Sequence, residues 1–353
     1  MAPPAPTVAG VTVVEFRDAG MHRSRVVAGF TLAVLSFALA SCSSRQLNFA
    51  KEIAAGFTAG AAQVGGVEAT VAGPDGGDPT QAVKVFEDAV RSSKGGIAVQ
   101  TIAPELFAGP LSDAEKAGIP LMTVDTPPGP GSNVEVFVGN DNYALGQQLA
   151  AEAIKRLPAG ATGTVVIGTP APGLPILDAR ARGMRAEFAK RLPRVRVLGP
   201  FDTKLDVPAN AAAWLALVRA NPDALAFLGT GDADTFNLAK ARVATKGKWL
   251  AAAFDVDPKA LEAVRDGQLF AVMSPEHYLK GMIAGRLQAE LAKSGKALPK
   301  GWIYTPGLAV TSANIAEITE RQASPANKQA WFGRQADAIL GDPSSVRPLD
   351  SAH

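Results

Sequence analysis

Three aspartates stand where short apolar runs end. Leu121-Met-Thr-Val124 leads straight into Asp125, and Leu250-Ala-Ala-Ala-Phe254 straight into Asp255. Ala226-Phe-Leu228 reaches Asp232 through Gly229-Thr-Gly231. In open parallel sheets, ligands bind beyond the carboxyl ends of the strands. A carboxylate there accepts two hydroxyl hydrogen bonds, which suits a sugar or a polyol. The competing use of an aspartate at such a place is to cap the next helix. That use suits Asp232 as well as ligand binding does, since its glycine-flanked turn precedes a helix. It suits Asp255 less, because Pro258 is placed to open the following helix. Asp232 with Asp234, or Asp255 with Asp257, pairs carboxylates as a cation site does, but neither has the glycine and glutamate spacing of a calcium loop.

Catalytic chemistries lack their parts. The 353 residues contain three histidines, His22, His277 and His353, and one cysteine, Cys42. A multi-histidine zinc site, a His-x-x-x-His metalloprotease helix, a disulfide framework and a Cys-x-x-Cys motif are all excluded. There is no Walker-type Gly-Lys-Ser/Thr and no Gly-x-Ser-x-Gly elbow, and Gly229-Thr-Gly231 lacks the rest of a dinucleotide fingerprint. No nucleophile–base pair assembles around His277, so no enzyme activity and no cofactor are expected. A formal charge of +2 provides no field for nucleic acid.

These aspartates need a scaffold of alternating strands and helices. Apolar residues make up 47% of the chain, enough for a well-buried core. The pattern predicts helices over 49–63, 79–91, 111–117, 143–156, 176–191, 235–243, 259–265 and 278–293, with a further helix carrying Trp214, Leu217 and Val218. Strands are expected over 67–72, 97–100, 121–124, 134–138, 164–167, 195–198, 225–228, 249–254 and 269–273. Short apolar strands alternating with helices mean buried parallel sheets in an α/β fold. So many strands exceed one comfortable open sheet, which points to two lobes. The stretch 320–353 reads as a polar tail, partly disordered.

The front of the chain reads as an export signal. Arg23 and Arg25 precede an uncharged apolar run over 26–40, shorter than the roughly 20 residues a membrane-spanning helix needs. Leu39-Ala40-Ser41-Cys42 looks like a bacterial lipobox, in which Cys42 is lipidated and becomes the first mature residue. On this reading 1–20 is an extension upstream of the true start at Met21, 21–41 is a lipoprotein signal peptide, and the mature domain is tethered to the membrane through its lipid.

Over about residues 48–315 the chain resembles the periplasmic sugar-binding proteins of the ribose-binding type, receptor subunits of ABC importers. The resemblance rests on Gly118-Ile-Pro-Leu-Met-Thr-Val-Asp125, Val138-Gly-Asn-Asp-Asn-Tyr-Ala-Leu-Gly146, Gly163-Thr-Val-Val-Ile-Gly168 with Arg180-Ala-Arg-Gly183, Phe254-Asp255 and Tyr278-Leu-Lys-Gly281. It implies a periplasmic binding protein of type I: two Rossmann-like lobes with parallel sheets, joined by a three-segment hinge near 139–142, 274–276 and 304–307. The N-terminal lobe would be 42–140 plus 276–303, and the C-terminal lobe 141–275 plus 304–319. The resemblance further implies a monomer that binds a sugar or polyol between its lobes and delivers it to ABC permease subunits. A sensory receptor signalling to a membrane kinase or chemoreceptor is the alternative.

Carried over by residue, the resemblance makes Asp125 and Arg180 a hydroxyl-binding pair from opposite lobes, Asp255 the second carboxylate and Phe49 a stacking aromatic. Asp232 and Glu276 complete the expected ligand-binding set. The family's arginine after the first aspartate is Thr126 here, its asparagine is Gly231, and its glutamine falls on Pro275 or Glu276, so the hydroxyl contacts differ from those of a ribose binder. The family's first strand should precede Phe49, yet 43–48 is polar and too short. Either that strand is missing behind an authentic signal, the reading preferred, or residues 31–41 serve as the strand and only imitate a signal.

Overall fold

The computed structural model describes residues 36–41 (backbone only), 48–74, 78–93 and 95–352. Two sheets carry the molecule. The first takes β1 (Ser36–Ser41), β2 (Glu68–Ala72), β3 (Ile97–Gln100), β4 (Leu121–Val124), β5 (Val136–Gly139), β11 (Gly301–Tyr304) and β13 (Val346–Arg347), in the order β13-β11-β5-β4-β3-β1-β2. The second takes β6 (Gly163–Thr169), β7 (Val195–Asp202), β8 (Ala226–Gly229), β9 (Leu250–Phe254), β10 (Ala271–Ser274) and β12 (Leu308–Thr311), in the order β12-β10-β9-β8-β6-β7. Pairing is parallel except at β13 and β12, each antiparallel at one edge. Strands β3, β4, β5 and β8 are buried at every position, as short Val/Ile/Leu runs covered on both faces must be.

Helices cover both sheets. The N-terminal lobe has α1 (Asn48–Val64), α2 (Pro79–Ser92), α3 (Pro104–Lys116) and α9 (His277–Ser294). The C-terminal lobe has α4 (Asn142–Ile154), α5 (Pro175–Arg191), α6 (Val207–Ala220), α7 (Asp232–Thr245), α8 (Pro258–Arg265) and α10 (Ile315–Gln322). Starts are set locally: Asp141, Asp206 and Asp257 accept from Ala144, Ala209 and Lys259 backbone N–H groups, while Pro175 and Pro258 occupy first-turn positions. The chain passes between sheets after β5, after β10 and after β11.

In each lobe, the helix arriving from the other lobe packs against a resident helix through glycine. A Cβ on Gly56 or Gly60 of α1 would overlap the carbonyls of Tyr278 or Met282, and one on Gly281 or Gly285 of α9 those of Ile53 or Phe57. Gly146 of α4 lies likewise against the Arg180 carbonyl, and Gly183 of α5 against that of Tyr143. These close approaches bring the first turns of α1 and α9, and of α4 and α5, to the space between the lobes.

Two expectations meet a different structure. The segment from Glu320 is folded: α11 (Pro325–Gly341) buries Phe332 and Ala336 in the core of the N-terminal lobe, whereas Ile318 of α10 belongs to the core of the C-terminal lobe. The chain therefore makes a fourth passage between lobes, and β13 then pairs with β11. At the front, the backbone of Ser36–Ser41 fills the first-strand position, with Ala38 paired to Ile97 of β3 and to Thr70 of β2. That is the second of the two readings of the apolar run. Residues 1–35 and Cys42, on which the signal and lipidation readings also rest, lie outside the described residues.

Candidate functional site

A cleft of about 550 Å³ lies at the carboxyl ends of the strands, lined from both lobes by Phe49, Asp125, Arg180, Asp232, Asp255 and His277 among others. Its two strand-end carboxylates share one backbone solution. Asp125 has φ 71° and Asp255 φ 78°, left-handed values uncommon for a residue with a side chain. Each donates its N–H to the neighbouring strand, Asp125 to Val138 (2.9 Å) and Asp255 to Met273 (2.8 Å). Such conformations persist where the surroundings impose them, and they cluster at binding sites.

Cations hold these carboxylates. The Lys280 side chain is fully buried; its Nζ donates to Asp125 and to Asn140 Oδ1 (2.8 Å). Asn140 in turn donates to the Thr305 carbonyl (2.7 Å), which ties two hinge passages to the site. His277, one turn before Lys280, places Nε2 2.7 Å from Asp255 Oδ1 and Nδ1 3.4 Å from Asp125 Oδ1, so one imidazole lies between a carboxylate of each lobe. Burial would raise the Asp125 pKa, but Lys280 and His277 outweigh it and hold the carboxyl far below its usual range. Burial and Lys280 press His277 toward the neutral form; Asp125 and Asp255 prevail, and its pKa is raised.

Arg180 supplies the donor side. It is buried, its Nε donates to Asn142 Oδ1 (2.9 Å) and Nη1 to the Thr230 carbonyl (2.9 Å), and its guanidinium lies 4.3 Å from the centre of the Phe254 ring. Nη2 is the nitrogen left for a ligand. Asp232 opens α7, yet Asp234 does the capping, accepting from the Thr230 and Gly231 N–H groups. Buried Oδ1 of Asp232 has no hydrogen-bond partner among the described residues. Burial first, then Asp255 and Asp257, push its pKa to about 8, so at neutral pH it can donate as well as accept. Phe49 reaches the cleft with its ring 5.6 Å from that of His277, while also packing on the core.

The structure brings five of the six expected residues together: Phe49, Asp125, Arg180, Asp232 and Asp255. Glu276 is elsewhere. Its backbone is left-handed (φ 54°) and its carboxylate accepts from buried Arg321 at 2.8 and 3.0 Å, beneath α11. Lys280 and His277 are not among the expected site residues, although Lys280 lies inside Tyr278-Leu-Lys-Gly281 and His277 immediately precedes it.

A sequence-family profile described as a periplasmic binding protein domain matches residues 40–297, well over half of the chain. This chain belongs to that family. The family binds solutes and does no catalysis. The D-allose-binding periplasmic protein of Escherichia coli (strain K12) is 28% identical over 242 residues, 65% of this chain and 75% of its own length. The xylose/arabinose-binding protein XylF of Sulfolobus acidocaldarius is 23% identical over 232 residues, 60% of this chain and 55% of its own. Among solved structures, a solute-binding protein from Burkholderia graminis in complex with D-arabinose superposes with a TM-score of 0.73 at 25% identity, covering 80% of this chain and 96% of that one. The two-lobed α/β fold expected from the sequence is thus that of the family.

Proposed function

We propose that this binding protein takes a neutral sugar or polyol into the cleft between its lobes and delivers it to an ABC importer. The supporting observation is the pair of left-handed strand-end carboxylates, Asp125 and Asp255, facing Arg180 in one cleft. Carboxylates accept from hydroxyls and a guanidinium donates to them, so vicinal hydroxyls satisfy both. Carboxylates and cations in the cleft largely offset each other, which favours an uncharged ligand. Names of the relatives, an allose binder and a xylose/arabinose binder, point the same way. Lobe closure would desolvate the ligand, and the permease would read the closed form.

Phe49, Asp232 and His277 complete the proposed contacts, and the protein acts as an exported monomer. A lipid on Cys42 is supported by the lipobox-like motif and opposed by β1, which cleavage after Ser41 would remove. Intact mass of protein taken from the membrane fraction decides: a diacylglyceryl Cys42 start supports the anchor, and a chain retaining 36–41 rejects it.

Thermal unfolding of the full chain against pentoses, hexoses and polyols tests the binding. Ligand at about 100 times its dissociation constant adds roughly 2.7 kcal/mol, several degrees for lobes of this size. A shift with one sugar supports the reading; a cooperative transition unmoved by every compound rejects it.

A further inference from the structure

The cleft has a charged floor and an aliphatic wall, and the floor alone accounts for a sugar ring. The wall comes entirely from the C-terminal lobe: Leu174, Ile176 and Leu177 at the entry to α5, Leu205 just before α6 and Val207 at its first position, and Phe236 on α7. Leu205 is 53% exposed and Val207 40% exposed, which leaves apolar surface open to water at the mouth. From the N-terminal lobe the same cleft is lined by Asn48, Lys51 and Gln100 as well as Phe49 and Ile102. Lobes closing on a bare ring would press much of this wall against polar side chains. A volume of about 550 Å³ also falls within the range of clefts that enclose drug-sized ligands, larger than a free monosaccharide.

We propose that the ligand is a glycoside with an apolar aglycone, its sugar ring on Asp125, Arg180, Asp255 and His277 and its aglycone along the aliphatic wall. The inference rests on the sugar-binding reading and adds what the ring carries. Asp206, Asp257, Lys240 and Lys259 lie among the wall residues, two of each sign, so the wall offers a charged aglycone no net counter-charge. An aryl group or an alkyl chain longer than methyl would cover Leu205 and Val207.

The test compares the free sugar, the methyl glycoside and the phenyl glycoside, in both anomers, of allose, arabinose, xylose, glucose and galactose, by titration calorimetry on the full chain. For the sugar that binds, the phenyl glycoside should bind at least about tenfold tighter than the methyl glycoside, as burial of a phenyl face against aliphatic side chains implies. In Leu205→Ser/Val207→Ser, at two exposed positions where folding should persist, the phenyl-to-methyl preference should fall toward one. A phenyl glycoside that binds no better than the methyl glycoside or the free sugar overturns the inference and leaves the sugar reading standing. A preference that survives the double substitution overturns the assignment of the wall. If no free sugar and no glycoside binds, the sugar reading fails and the inference fails with it.

Discussion

Asp125 in the N-terminal lobe and Asp255 in the C-terminal lobe occupy corresponding places. Each follows a buried strand, adopts a left-handed backbone and donates its N–H to the next strand. Beside each, two helices meet through glycines that let their backbones touch. The charges around them differ. Asp125 is held by Lys280, a cation sealed from water, whereas Asp255 faces an imidazole whose charge depends on pH. Arg180 is held by a neutral amide and a carbonyl. The backbone thus repeats in the two lobes, while the N-terminal carboxylate bonds a buried lysine and the C-terminal one an imidazole, with the Arg180 charge acting on both.

The sharpest way to break this comparison is to remove each buried cation in turn. Lys280→Met leaves Asp125 buried without its closest cation and with only the His277 imidazole beside it, and denaturant unfolding should record a loss of about 3–5 kcal/mol. Adding Asp125→Asn should restore most of the stability without restoring binding. Arg180→Met, by contrast, breaks hydrogen bonds only to neutral partners and takes away a cation that neither carboxylate bonds directly; it should cost about 1–3 kcal/mol and abolish sugar binding. Equal stability losses in the two variants would show that the charges are not arranged as described.

The glycine contacts separate packing from positioning. Gly285→Ala and Gly146→Ala should each destabilise by about 1–3 kcal/mol, since the facing carbonyls belong to backbone that cannot move aside alone. Gly146→Ala should also weaken binding, because the displaced carbonyl is that of Arg180. Gly285→Ala pushes on Phe57, in the core, and should leave the Arg180 contacts in place.

The smallest expected effect is the pH dependence. The folded pKa of His277 is raised, so its contribution is fully present below about pH 6.5 and lost as pH rises through the folded value. Asp232, with its pKa near 8, loses stability over the same range, so melting temperatures from pH 6 to 9 are compared in an Asp232→Asn background. The remaining loss, on the order of 1 kcal/mol, should be present with His277 and absent in Asp232→Asn/His277→Gln. An unchanged slope in the double variant would remove His277 from its place between the carboxylates.

Much of the site could be read from sequence because it follows strand ends. An apolar run stopping at an aspartate marks Asp125 and Asp255, and glycines closing the Leu145-Gly146, Arg182-Gly183 and Lys280-Gly281 steps mark helix contacts. Glu276 misled because nothing in its neighbours announces a left-handed residue, or the Arg321 that claims its carboxylate. Lys280 went unread because a lysine on a helix is normally solvated. The stretch after Glu320 averages as polar, yet Phe332 and Ala336 suffice to dock α11. The apolar run before Cys42 satisfies a strand and an export signal equally, and only pairing with β2 and β3 reveals the strand.

The central claim is that two equivalent carboxylates, one from each lobe, grip a neutral sugar together. Calorimetric titration of the sugar identified by thermal shift into wild type, Asp125→Asn and Asp255→Asn tests it directly. Each substitution should weaken binding by at least about tenfold, as loss of a hydrogen bond to a charged group implies, with unfolding still cooperative. Wild-type affinity in either folded variant would contradict the account.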